Sequence, residues 1–567
     1  MTQHVTDALP TDASSAASGR REWWRDAVIY QVYPRSFADG NGDGMGDLPG
    51  VRARLPYLKE LGVDAVWLSP FYASPQADAG YDVADYRAVD PMFGNLTDAD
   101  DLVRDAHGLG LRVIVDLVPN HCSDQHEWFK QALREGPGSP IRERFHFRPG
   151  KGDNGELPPN DWESIFGGPA WTRVEDGEWY LHLFAPEQPD FNWDHPAVHD
   201  EFRSILRFWL DLGIDGFRID VAHGLVKAAG LPDIGHDEQV KLLGTEAVPY
   251  FDQDGVHEIY RSWRRILDEY TGNETGPEGP SLEGRGRETG GRIAVAEAWT
   301  PTVERSALYL RPDELHQAFN FSYLTTGWNA ADLREVIDRS LGAMNAVHAP
   351  ATWVLSNHDV VRHSTRLAEG DEARGLRRAR AATLLMLALP GSAYLYQGEE
   401  LGLPEVVDLP DEVRQDPAFF RSAGQDGTRD GCRVPLPWSG EAAPFGFGPV
   451  EGGPSWLPQP ASWKNLTVEA QEGDPTSTLE FYRSALAVRR EHPALGAGRQ
   501  VTWLPTPDGV LAFRRDSAEG SFVCTVNLTA APVPFPTPGT LLLAGADVEP
   551  GTETTELPAD STVWWAV

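Results

Sequence analysis

Short apolar runs recur along the chain, each followed by a polar loop or a helical stretch. AVIYQVYP begins near Ala27, DAVWLSP near Asp64, LRVIVDLVPNH near Leu111 and GIDGFRID near Gly213; RIAVAEAW, QAFNFSY, ATWVLSNHD and SAYLYQGEE follow. Near-continuous apolar runs suit parallel strands that are covered by helices. Eight such units predict a closed (β/α)8 TIM barrel of the α/β class.

The spacing between runs is uneven. About ninety residues separate the third and fourth runs, far more than one crossover needs. That stretch includes FRPGKGDNGELPPNDWESIFGGPAW, rich in Gly, Pro and Trp, and reads as a small inserted domain over the barrel mouth. TGNETGPEGPSLEGRGRETGG, before RIAVAEAW, reads as a flexible polar loop. STLEFYRSALAVRREHPAL has helical periodicity and predicts the last barrel helix. Beyond it, VLAFRR, FVCTVNL and VWWAV alternate between Gly and Pro turns and predict a C-terminal antiparallel β-domain. The expected organisation is a disordered tail over 1–21 and a barrel over 22–120. An inserted domain follows over 121–200, then the barrel again over 201–495, and a C-terminal β-sandwich over 496–567.

Composition narrows the partners. With 567 residues and 41% hydrophobic positions, the chain is long enough for several domains and a large core. A net charge of −36 repels phosphate, which argues against nucleic acid and anionic membrane surfaces. Three cysteines (Cys122, Cys432, Cys524) give no disulfide framework. The first twenty residues have no apolar core of the signal-peptide kind, and no apolar run reaches membrane-spanning length. The expectation is a cytoplasmic protein, a monomer or homodimer, with a small-molecule substrate.

Three of the strand runs end in acids: Asp220 in GFRIDVAH, Glu297 in IAVAEAW and Asp359 in VLSNHDVVRH. Catalytic groups of a β/α barrel come from the C-terminal ends of several strands and meet over one mouth. Glycoside hydrolysis needs one carboxylate as nucleophile and one carboxylic acid to protonate the leaving oxygen. A third anion stabilises an oxocarbenium-like sugar. Arg218 lies two residues before Asp220, on the same strand face, and its charge favours the ionised acid. Glu297 follows the apolar run Ile293–Ala296, where desolvation raises a carboxyl and suits a general acid. His121, His358, and Asp82 with Tyr81 beside it add hydroxyl-binding and aromatic groups at other loop starts. In FADGNGDGMGDLPG, Asp39, Asn41, Asp43 and Asp47 stand at alternate positions around the Met45 carbonyl, as in the first nine positions of a Ca²⁺ loop. Gly50 occupies the twelfth position in place of Glu, so the alternative is an Asx-rich turn without metal.

The motifs AVIYQVYPRSFADGNGDGMGDL, AGYDVADY, DLVPNH, QPDFNWDHP, GFRIDVAH, EAW, NHD and RDGCRVPLPW, in this order, resemble the α-amylase superfamily, glycoside hydrolase family 13. The resemblance runs from about Trp23 to the C-terminus and is to the α-glucosidase and oligo-1,6-glucosidase branch, including actinobacterial α-glucosidases. It implies Asp220 as nucleophile, Glu297 as acid/base and Asp359 as transition-state stabiliser. It implies that His121, Arg218 and His358 bind hydroxyls and carboxylates, that Tyr81 stacks on the sugar, and that Phe166 lines the pocket from the inserted domain. Asp82 and Arg433 resemble the pair that holds the non-reducing glucose and closes the pocket, which implies exo action. A structural Ca²⁺ on Asp39, Asn41, Asp43, the Met45 carbonyl and Asp47 is also implied. RDGCRVPLPW departs from the commoner RDNARTPMQW, and QPDFN has Phe191 where Leu is usual.

Val221, next to the nucleophile, resembles α-1,6-cutting relatives, whereas the following Ala222-His223 resembles maltose-type enzymes. The expected activity is a retaining exo-α-glucosidase that releases α-glucose from maltose and short malto-oligosaccharides, with transglycosylation at high sugar. An oligo-1,6-glucosidase and a sucrose- or trehalose-type glucosyl isomerase stay open. A non-catalytic transporter-type subunit fits poorly, since all three acids are kept and no membrane helix is present in the sequence.

Overall fold

The computed structural model describes residues 22–235, 247–271, 291–422, 424, 429–450 and 452–567. The tail 1–21 and most of the polar loop before RIAVAEAW lie outside the described residues.

Eight parallel strands form one sheet: β1 (Val28–Val32), β2 (Ala65–Leu68), β3 (Arg112–Leu117), β4 (Gly216–Ile219), β5 (Ile293–Ala296), β6 (Gln317–Ala318), β7 (Thr352–Val354) and β8 (Ser392–Tyr396). Their order is β6-β5-β4-β3-β2-β1-β8-β7. The Asn320 amide donates to the Thr352 carbonyl at 3.1 Å, which joins the end of β6 to β7 and closes the barrel. Apart from Arg112 at the start of β3, every strand residue is buried, as strands with packing on both faces require.

The QAFNFSY run shortens to a two-residue strand. Asn320 caps a helix over Phe321–Thr325, its side chain accepting the Tyr323 amide at 3.0 Å. Local capping thus overrides the aromatic, strand-favouring composition.

Between β3 and β4, a three-stranded antiparallel sheet places Glu178–Leu181 between Phe147–Pro149 and Trp171–Arg173. Isolated bridges His121–Asp190 and Phe145–Phe191 tie the neck of this insert to the barrel rim. Trp162, Ile165, Phe166, Leu181 and Phe184 of the insert form one apolar cluster with Val221 and Phe251, which follow β4. The insert is therefore packed as a roof beside the strand that carries the central acid. Helix Pro196–Leu212, capped by His195, starts before the boundary expected at 200, so the barrel resumes at Pro196.

After helix Thr478–Glu491, a five-stranded antiparallel sheet and a two-stranded one share an apolar layer that includes Val510, Val523, Phe535, Leu557, Val563 and Trp565. Period-two alternation turns Trp564 the other way. Its indole donates to the Leu384 carbonyl at 3.1 Å, on barrel helix Glu372–Ala388.

Candidate active site

A pocket of about 520 Å³, part of it open to solvent, sits at the C-terminal ends of the strands. Asp220 and Glu297 immediately follow β4 and β5, and Asp359 follows β7 by a short loop. All three line the pocket, together with Tyr81, His121, Phe166 and His358.

Strand register builds the centre. Asp116 on β3 is paired directly with Arg218 on β4. Arg218 Nη1 donates to Asp116 at 2.9 Å and to Asp220 at 2.5 Å, and Nη2 lies 3.4 Å from Glu297. The guanidinium is 2% exposed, with its carbon 5.2 Å from the centre of the Trp67 ring and 5.8 Å from that of Tyr81. Burial pushes the Asp220 carboxyl up, Arg218 pulls it down, and Glu297 and Asp116 push it up again. Burial also raises Glu297, against Arg218 and the Val221 amide. Burial and mutual repulsion disfavour ionisation of both acids together. Arg218 is closer to Asp220 than to Glu297, so we place the negative charge on Asp220 and the proton on Glu297.

Glu297 is fixed from both sides. Its Oε2 accepts the Val221 amide at 2.7 Å and its Oε1 accepts the Trp299 indole at 2.9 Å. Val221 reaches this position with φ of +43°, a left-handed conformation that is costly for a β-branched residue. Asp359 accepts from Arg433 Nη2 at 2.9 Å and Arg429 Nη1 at 3.2 Å. Burial pushes its carboxyl up, but the Arg429 and Arg433 guanidiniums, with Arg218, outweigh that and hold it below the usual carboxylate range. His358 stacks on Tyr81, with ring centres 5.4 Å apart and planes 6° apart, and its Nε2 is 2.6 Å from the Tyr81 hydroxyl. Burial keeps His358 neutral and lowers His121 to about 4.

Three expected residues do not line the pocket: Arg218, which is buried among the acids, and Asp82 and Arg433. The Asp82 carboxylate is turned back into its own loop, where it accepts the amides of Ala77 (2.8 Å) and Asp78 (3.0 Å). Asp78 lines the pocket in its place. Arg433 lies behind the wall and holds the His358 carbonyl (2.8 Å) and Asp359, while Arg429, four residues earlier, is the arginine that faces the cavity. Arg429 pairs with Asp78 at 3.1 Å, is anchored by Asp416 at 2.7 Å, and lies 4.9 Å from the Phe166 ring centre. The pocket-closing pair is thus Asp78–Arg429. The sequence carries a signal for it: Asp78 stands four residues before Asp82, just ahead of AGYDVADY, and Arg429 four before Arg433 in RDGCRVPLPW, and only the backbone partners show which copy is consumed.

Other wall residues were given no site role from the sequence, although Gln188 and Trp299 stand in the motifs above and Ala222-His223 bore on linkage. Gln188 of the QPDFN motif donates to Asp78 at 3.2 Å and lies 3.1 Å from His121 Nε2. His223, Phe251, Phe184, Ile165 and Trp299 complete the lining.

In the loop after β1, Asp39, Asn41 and Asp43 each accept an amide two residues on, at 2.8–3.0 Å, and Asp47 accepts the amide of Gly40 at 3.1 Å and that of Gly50. Among the described residues, no three His, Cys, Asp or Glu side chains already form a metal-holding group. None of the three carboxylates has a Lys or Arg partner among them either, and Asp39 and Asp47 are buried.

Acids at or just beyond three strand ends, around a small pocket closed by an ion pair, define a glycoside-processing barrel enzyme. Residues 31–498 match the family described as alpha amylase, catalytic domain, and the chain belongs to that family. Residues 498–564 match a domain of unknown function, DUF3459. A probable alpha-glucosidase of Rhizobium meliloti is 37% identical over 91% of this chain and 91% of its own length. An oligo-1,6-glucosidase of Parageobacillus thermoglucosidasius is 33% identical over 95% and 97%. Among solved structures, the alpha-glucosyl transfer enzyme XgtA superposes with a TM-score of 0.84 at 35% identity, covering 96% of this chain and 100% of that one. The trehalulose synthase MutB of Pseudomonas mesoacidophila gives 0.82 at 30%, covering 96% and 99%. No helix among the described residues is long and apolar enough to cross a membrane.

The corrected pair gives a prediction. Asp78→Asn lowers kcat/KM for an aryl α-glucoside by about tenfold or more, since a charge-assisted contact to the sugar is lost. Asp82→Asn instead lowers the unfolding temperature, because one of two backbone amides loses its acceptor. Steady-state kinetics and thermal unfolding of both variants check this; the reverse assignment of effects contradicts it.

Proposed function

We propose that the protein is a retaining, exo-acting α-glucosidase that releases α-glucose from the non-reducing end of maltose and short malto-oligosaccharides. The observation that carries this reading is the Asp78–Arg429 ion pair across one end of the pocket that holds Asp220 and Glu297. A pocket with one closed end admits a chain terminus and excludes a chain interior.

Asp220, kept anionic by Arg218, attacks the anomeric carbon, and its C–O bond forms as the glycosidic C–O bond breaks. Glu297 gives its proton to the departing oxygen. Water, deprotonated by Glu297, then displaces Asp220 and restores the α configuration. Asp359 stays ionised beside the ring and offsets the positive charge that develops on the sugar. A sugar hydroxyl takes the place of water when sugar is abundant, which gives transglycosylation; the likeness to an alpha-glucosyl transfer enzyme supports this. The likeness to trehalulose synthases makes an internal acceptor the second reading.

Glucose release from maltose, isomaltose, sucrose and trehalose, measured side by side with products resolved, tests the proposal. Maltose is expected to be preferred, with α-glucose as first product. Preference for isomaltose overturns the α-1,4 assignment, and an isomer with little free glucose overturns hydrolysis as the main activity.

We further propose a structural Ca²⁺ in the loop after β1. Three carboxylates without a cationic partner, the Asn41 amide oxygen and the Met45 carbonyl form a hard-oxygen donor set that suits this ion, and burial together with Asp39 and Asp43 raises Asp47. Asp39, Asn41, Asp43, Met45 and Asp47 would hold it; the ion would supply charge balance to the loop and no catalytic chemistry. Chelation with EDTA is expected to lower the unfolding temperature and added Ca²⁺ to restore it, with no response in Asp39→Ala. Equal unfolding temperatures with and without chelator contradict the site.

A further inference from the structure

Gln31, near the end of β1, reaches the active site only through another side chain. It is 1% exposed and shares a strand face with Ile29, which packs with Trp67, Ile114, Val295 and Tyr394 inside the barrel. Its Nε2 lies 2.7 Å from Nδ1 of His358 and donates to the Ser69 hydroxyl at 3.1 Å. His358 lines the pocket beside Asp359.

The neighbours of His358 decide which of its nitrogens holds the proton. Burial keeps the ring neutral, so one nitrogen donates and the other accepts. On the Nε2 side, Asp359 Oδ2 stands at 3.1 Å and the Tyr81 oxygen at 2.6 Å. Asp359 is ionised and can only accept. Tyr81 spends its single proton on Asp116 at 3.1 Å, and Asp116 is itself paired with Arg218 at 2.9 Å. Toward the ring, the Tyr81 oxygen therefore accepts as well. A bare Nε2 would set its lone pair against a carboxylate and a phenol oxygen, so the proton belongs on Nε2. Nδ1 is then an acceptor, and Gln31 faces it with its NH2 group. The reversed amide would put that NH2 group where Gln31 Oε1 now has no partner among the described residues, and would strand two donors instead of one acceptor.

The tautomer of a histidine is set by the hydrogen bond at its second nitrogen. We propose that Gln31 is a positioning residue that holds the His358 proton on Nε2, where it donates to Asp359. This rests on the α-glucosidase reading above, in which Asp359 offsets the charge that develops on the sugar. A proton on Nδ1 would replace the donor beside Asp359 with a lone pair and push the carboxylate away. The rest of the ring's surroundings leave Nδ1 to Gln31: Tyr33 and Tyr81 stack on the ring, Trp67 meets it edge-on, and Arg218, Arg429 and Arg433 are the cations around it.

Neutron diffraction from deuterium-exchanged crystals of the wild-type enzyme reads both points at once. Deuterium on Nε2 alone, with the Gln31 amide nitrogen facing Nδ1, is the expected result; deuterium on Nδ1 overturns the proposal. Kinetics separate positioning from packing. Gln31→Met keeps the length of the side chain and removes the donor. It is expected to lower kcat on p-nitrophenyl α-glucoside about tenfold and to change KM less than about twofold, since Asp359 acts on the transition state. Gln31→Glu keeps the shape of Gln and donates only while protonated. Its rate relative to the wild-type enzyme is expected to rise as the pH falls. A ratio that stays constant with pH, or an unchanged kcat in Gln31→Met, overturns the proposal. Should neither variant fold, the neutron map decides. Absence of turnover of the aryl glucoside by the wild-type enzyme overturns the α-glucosidase reading instead, and the neutron map still decides where the proton is.

Discussion

The site depends on one buried cation. Arg218 stands among Asp116, Asp220 and Glu297, in a barrel interior where an uncompensated charge costs several kcal/mol. Remove the guanidinium and three acids repel one another in a low dielectric; remove the acids and the cation is stranded. The in-register pairing of β3 and β4 sets Asp116 against Arg218, and period-two alternation sets Asp220 on the same side. The sheet that makes the barrel also delivers the charge pattern that divides proton and charge between the two acids.

A second cation does the corresponding work at the closed end. Arg429 touches Asp78, Asp359 and Asp416, which come from three separate loops. Its place between Phe166 of the insert and Asp359 of the barrel makes the roof and the floor parts of one wall. The strained Val221 backbone is the counterpart on the other side, where it points an amide at Glu297. Strain of this kind persists only where surrounding packing fixes it, and the apolar cluster of Trp162, Phe184, Val221 and Phe251 provides that packing.

Much of this is legible in the chain because periodicity and strand ends carry it. Seven apolar runs form strands of three residues or more, and the acids that end three runs meet in one pocket. QAFNFSY gives only Gln317–Ala318 because the Asn320 cap, a local hydrogen bond, decides against a longer strand. Asp82 and Arg433 were read one helical turn too far along, since a sequence does not show which of two like residues spends its charge on nearby backbone. The places of His223 and Gln188 in the pocket wall do not follow from their motifs for a related reason. Their importance lies in what faces them across the pocket, which no spacing in one segment encodes.

The central claim is that Asp220, held ionised by Arg218, bonds directly to the sugar. Inactivation with 5-fluoro-α-D-glucosyl fluoride, followed by mass spectrometry of the intact protein and its peptides, tests that most directly. The account predicts one fluoroglucosyl group per chain, esterified to Asp220. A label on Glu297 or Asp359, or turnover of the reagent with no bound sugar at any time, would contradict it.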